Sequence, residues 1–116
     1  MGFFDSIVRG VNNFTGQALM SVLKECRNRD YKTLEYFAIN SDTPTTRAVN
    51  FFAIYYYDKT SPNNLLELYR KNKRELEMGI KNLLKQSYFV EKIGVPRIED
   101  FKKRILDRAN DGYYGY

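Results

Sequence analysis

The stretch Ala48-Val49-Asn50-Phe51-Phe52-Ala53-Ile54-Tyr55-Tyr56-Tyr57 decides the fold of this chain. Its β-branched and aromatic residues suit a strand. Its apolar positions also point in every direction, as they would in a buried helix or a central strand. The residues before it tip the balance. Thr43-Pro44-Thr45-Thr46 is a helix start, with a hydroxyl to cap the first turn and a proline suited to the first helical position. The stretch is read as a buried helix, with a β-hairpin pairing 34–40 and 48–57 as the rival.

Working outward, Asn40-Ser41-Asp42-Thr43-Pro44 is a turn, and Asp30 caps a helix over Tyr31 to Asn40. Before that, Ala18, Leu19, Val22, Leu23 and Cys26 form one stripe of a helix from about Gln17 to Asn28. Phe3, Phe4, Ile7, Val8, Val11 and Phe14 form the apolar arc of a first, short amphipathic helix. On the other side, Asp58-Lys59-Thr60-Ser61-Pro62 is a second turn, with Ser61 as cap and Pro62 as first helical residue. A long helix is expected from Pro62 to Ser87, with Leu65, Tyr69, Leu76, Ile80 and Leu83 inward and Gly79 its weak point. Gly94-Val95-Pro96 is a connection. Arg97 to Ala109 is a final helix facing Ile98, Phe101 and Ile105 inward. The fold class is therefore all-α: a bundle of five or six short helices around one long central helix. Residues 1–111 form a single domain, and 112–116 are a Gly/Tyr tail.

The 116 residues are 43% hydrophobic and 28% charged, an ordinary composition for one globular domain with one core. Neither a basic-then-apolar leader nor an apolar run of about 18 residues is present, so a cytoplasmic protein is expected. There is no histidine, and Cys26 is the single cysteine, read as a small buried apolar side chain. Triads built on imidazole and the common zinc ligand sets cannot be assembled. No phosphate-cradling glycine loop occurs. Glu99/Asp100 and Glu75/Glu77 diverge on a helix and make no shared acid pair. No catalytic residue, metal site or cofactor is expected, and the chain is not read as an enzyme.

Binding is left. Residues 1–58 carry six basic and six acidic side chains, whereas 59–108 carry thirteen basic against seven acidic, so the whole excess of the +5 net charge is in the second half. That points to an acidic partner. On the expected long helix, Arg70, Arg74, Lys81 and Lys85 fall within about 60° of one another as a stripe about 22 Å long. The pairs Glu67–Lys71, Lys73–Glu77 and Glu77–Lys81 also fit a plain solvated face. Lys102, Lys103, Arg104 and Arg108 on the last helix are candidates to widen the patch. Ten tyrosines exceed what so small a core can bury, and Tyr55, Tyr56, Tyr57, Tyr113 and Tyr114 are candidates for a contact surface.

The reading is a non-catalytic adaptor, regulator or inhibitor that docks on a protein partner through a basic, Tyr-rich surface. The alternatives are nucleic-acid binding along Arg70–Lys85 and membrane-surface association through residues 3–14. Met1-Gly2-Phe3-Phe4-Asp5-Ser6 formally fits a myristoylation pattern, although bulky Phe3 and acidic Asp5 disfavour it. A homo-oligomer seam would also use surplus apolar surface.

Overall fold

A computed structural model of the chain describes residues 16–110. Among these there are seven α-helices and no strand: α1 (Gly16–Cys26), α2 (Tyr31–Asn40), α3 (Pro44–Tyr56), α4 (Pro62–Lys71), α5 (Lys73–Leu84), α6 (Ser87–Ile93) and α7 (Val95–Phe101). The last runs on into a π-helical segment, Lys102–Asp107. The expected N-terminal helix over 3–14 and the tail with Tyr113 and Tyr114 lie outside the described residues.

The deciding stretch is helical, and the hairpin is not formed. Thr43 caps α3, its hydroxyl accepting from the Thr46 N–H at 3.2 Å, and Pro44 opens the first turn. Thr45 and every residue from Ala48 to Ile54 are buried, because α1, α2 and α5 all pack on α3. Poor helix propensity in this run costs a few tenths of a kcal/mol per residue. Burying a Val, Ile or Phe returns about 1.5–3 kcal/mol each, so packing overrides propensity. Asn50, inside this core, is satisfied: its Nδ2 donates to Thr46 O at 2.9 Å, and its Oδ1 accepts from Arg29 at 3.2 Å and from the Cys26 thiol at 3.4 Å.

α3 is thus the axis of the molecule. Phe52 reaches Phe89 on α6 at 5.5 Å and Phe101 on α7 at 4.9 Å, both edge to face. On its other side α5 comes so close that a Cβ on Gly79 would sit 1.9 Å from the Pro44 carbonyl oxygen. The glycine that weakens α5 by propensity is what lets it meet α3.

The single long helix expected from Pro62 to Ser87 is a correction. It is two helices, α4 and α5, interrupted at Asn72, whose φ of −125° and ψ of 30° leave helical geometry. The Asn72 side chain donates back to Leu68 O at 3.0 Å, closing α4, while its own carbonyl accepts from the Leu76 N–H at 3.0 Å to start α5. The longest described helix is α3, with 13 residues. A further helix, α6, precedes Gly94, whose φ of 102° ends it in a region that glycine tolerates. No described helix is long and apolar enough to cross a membrane.

Candidate docking face at the end of helix α3

Successive residues of a helix point about 100° apart, so Tyr55, Tyr56 and Tyr57 leave α3 toward three different neighbours. Tyr55 packs on Phe101 at 5.2 Å, and its hydroxyl donates to the Asp100 carboxylate. Asp100 also accepts from Arg104 Nε at 2.6 Å. The Arg97 guanidinium lies 5.3 Å from the Tyr55 ring centroid and 5.0 Å from that of Tyr56, and donates to Tyr56 O at 3.1 Å. Burial first, and then the hydrogen bond to Asp100, push the Tyr55 phenol up to about 12. The same hydrogen bond, helped by Arg104, holds Asp100 below its ordinary carboxylate range. This side of the run is a closed network of phenol, carboxylate and guanidinium.

Tyr57 turns toward α1 instead. Its hydroxyl donates to Leu23 O at 3.1 Å, and burial raises its phenol above the usual value. The chain then reverses at Asp58, with φ of 55°, and the Lys59 N–H reaches Ile54 O at 2.9 Å in a Schellman-type ending. That reversal carries Lys59 Nζ to Arg27 O at 3.0 Å, joining the ends of α1 and α3.

Between these ends lies an open concavity of about 560 Å³, lined by Met20, Leu23, Lys24, Arg27, Asn28, Tyr56 and Tyr57. No carboxylate lines it. Of the nearby acids, Glu25 pairs with Arg29 at 3.7 Å, Asp30 caps α2 by accepting from the Thr33 N–H at 2.9 Å, and exposed Asp58 lies outside the lining. Among the described residues, the exposed Lys24 and Arg27 side chains form neither ion pair nor hydrogen bond. The concavity thus brings two half-buried tyrosine rings and the Met20 side chain together with two cations that form no ion pair among the described residues.

The basic stripe expected on one helix is divided by the break at Asn72. Arg70 belongs to α4, and its guanidinium donates to Ala109 O and Arg108 O, both at 3.2 Å. It caps the last helix and is tied down. Arg74 and Lys81 are exposed on α5, and Lys85 just follows it. Of the three pairs expected on a solvated face, Glu67–Lys71 closes at 3.8 Å, while Lys73–Glu77 and Glu77–Lys81 form no ion pair among the described residues. Lys102 pairs with Glu99 at 3.5 Å, and Lys103 is exposed beside it in a separate shallow concavity.

Of the side chains lining the concavity, the sequence reading names Tyr56 and Tyr57 and does not name Lys24, Arg27 or Met20. The signal for the two cations is present in the sequence. Lys24 has no carboxylate three or four residues away, Arg27 has only Asp30, which reads as the cap of the next helix, and Glu25 and Arg29 form a complete i,i+4 pair. Cys26 is a buried core group, and desolvation pushes its thiol up to about 11, which disfavours the thiolate. No cluster of three metal-ligating side chains occurs among the described residues. Compared with protein-family models, with curated proteins and with solved structures, the chain matches none.

Proposed function

We propose that this chain is a non-catalytic cytoplasmic binding protein, an adaptor, regulator or inhibitor, which docks on a protein partner through the face formed by Tyr56, Tyr57, Lys24 and Arg27. The observation that carries the reading is the contrast in side-chain engagement at the end of α3. Arg97 and Arg104 beside Tyr55 are used within the fold, while Lys24 and Arg27 on the Tyr57 side flank a concavity with no carboxylate in its lining. Aromatic groups beside arginine are the residue types that dominate protein contact surfaces. The lone thiol, held in the core, needs no oxidising compartment.

The test is affinity capture from the native host with three versions of the chain: wild type, Lys24→Glu/Arg27→Glu, and Arg74→Glu/Lys81→Glu. A specific protein retained by the first and third and lost by the second is the expected result. Retention by the second with loss by the third would move the function to α5. Recovery of no specific protein by the wild type would remove the docking reading altogether.

A further inference from the structure

We infer that the concavity between α1 and the end of α3 receives a short acidic segment of the partner, anchored by one bulky apolar side chain. The inference rests on the docking reading above and adds the chemistry of what docks. The cavity's about 560 Å³ is within the range of clefts that enclose a compact ligand group. Met20 presents a half-buried thioether beside the half-buried Tyr56 and Tyr57 rings, a surface that favours an apolar insert. The charged atoms at the rim are all donors, three on the Lys24 ammonium and five on the Arg27 guanidinium. An anionic ligand satisfies them; a cationic one meets repulsion and finds no carboxylate in the lining. The Tyr57 hydroxyl has given its proton to Leu23 O, so it offers acceptance only.

The same details argue against nucleic acid at this site. Stacking a base requires an available aromatic face. The Tyr56 ring already stacks on Phe52 at 5.6 Å with 22° between planes, carries Arg97 at 5.0 Å, and meets Tyr57 edge to face at 5.1 Å. Tracking a phosphate backbone needs a row of cations, typically about six to ten contacts. Here Lys59 and Arg97 are held by the carbonyls of Arg27 and Tyr56, leaving two unengaged cations in the lining. Two cations around a hollow that also exposes Met20 and two tyrosine rings fit a carboxylate-flanked hydrophobic side chain.

The experiment is selection of a library of short random peptides on the full chain. The winners are then titrated against wild type, Lys24→Glu/Arg27→Glu, Met20→Ala and Arg74→Glu/Lys81→Glu, with a mixed-sequence single-stranded DNA as a second probe. Expected winners carry Asp or Glu around one Phe, Trp, Leu or Met. Their affinity should fall at least about tenfold with the charge-reversed α1 variant, fall with added salt as screening requires, weaken with Met20→Ala, and hold with the α5 variant. Neutral or basic winners that still depend on Met20 would overturn the acidic ligand and leave the docking face standing. Winners indifferent to Lys24, Arg27 and Met20 would overturn both. Failure to enrich any peptide, with host capture still lost in the charge-reversed variant, would overturn the short-segment ligand alone. DNA binding that disappears with Lys24→Glu/Arg27→Glu would replace the peptide with nucleic acid.

Discussion

Tyr55 in the last turn of α3 and Tyr57 at its C-cap stand two residues apart, and their surroundings differ in what each charged group has left to do. Beside Tyr55, Asp100 is held by the phenol and by Arg104, and Arg97 is fixed by a ring on each side of its reach and by the Tyr56 carbonyl. Beside Tyr57, the hydroxyl and Lys59 are used to join α1 to α3, while Lys24 and Arg27 extend from the joint without a counter-charge. The lesson is that an excess of basic residues says little until each is followed to its partner. The thirteen cations of residues 59–108 dominate the net charge, yet several of them are occupied within the fold.

The largest expected effect breaks the packed side. Phe101→Ala removes a fully buried ring from contact with Phe51, Phe52 and Tyr55. It should cost about 3–5 kcal/mol in urea unfolding, and a loss under about 1 kcal/mol would deny that this ring joins α3 to α7. Next in size is the comparison of two hydroxyl deletions. Tyr55→Phe removes a bond to a carboxylate that is part-buried and should cost about 1–2 kcal/mol. Tyr57→Phe removes a neutral bond to Leu23 O and should cost about 0.5–1 kcal/mol. The reverse order in paired melts would contradict the assignment of the closed network to the Tyr55 side.

pH sharpens the same contrast. The Asp100 carboxyl titrates lower in the folded chain than in the unfolded one, so the unfolded state takes up the proton first. Its contribution is present above the ordinary value of about 4 and is lost as pH falls through the lower folded value. The Tyr55 phenol is raised to about 12. Its contribution is full below the unfolded value of about 10 and is lost as pH climbs from there through the folded value. Unfolding followed across pH should show both limbs. Asp100→Asn should flatten the acid one, and an unchanged acid limb in that variant would remove Asp100 as its source. The smallest effect belongs to the other side. Lys24→Glu/Arg27→Glu should stay within about 1 kcal/mol of wild type, most of it from reversing a cation near the end of α1. A larger loss in thermal unfolding would mean these cations have a structural role.

Much of the helical layout is legible in the sequence because its signals are local. Asp30, Thr43-Pro44 and Ser61-Pro62 each stand at a helix start, and each capping side chain accepts the expected backbone hydrogen bond. The deciding stretch was legible only through its cap, since a run buried on all sides has no periodicity to read. The break at Asn72 escaped for a different reason. Tyr69 and Leu76 are seven residues apart, so the apolar spacing continues across the break as if the helix were whole. What ends α4 is a side-chain amide turning back onto Leu68 O, which no hydrophobic pattern records. The π-helical segment after Phe101 is hidden likewise, with Phe101, Ile105 and Ala109 still falling inward at ordinary spacing. The concavity escaped because its lining joins residues 20–28 to 56–57, and only the tertiary fold brings them together.

Amide hydrogen exchange of the full chain, alone and with the protein it captures, tests the central claim most directly. Added protection should fall on residues 20–28 and 55–57, around Lys24, Arg27 and Tyr57, and leave 73–85 at its free rate. Protection over 73–85 with none at 20–28 would contradict the account and give the partner to the α5 face.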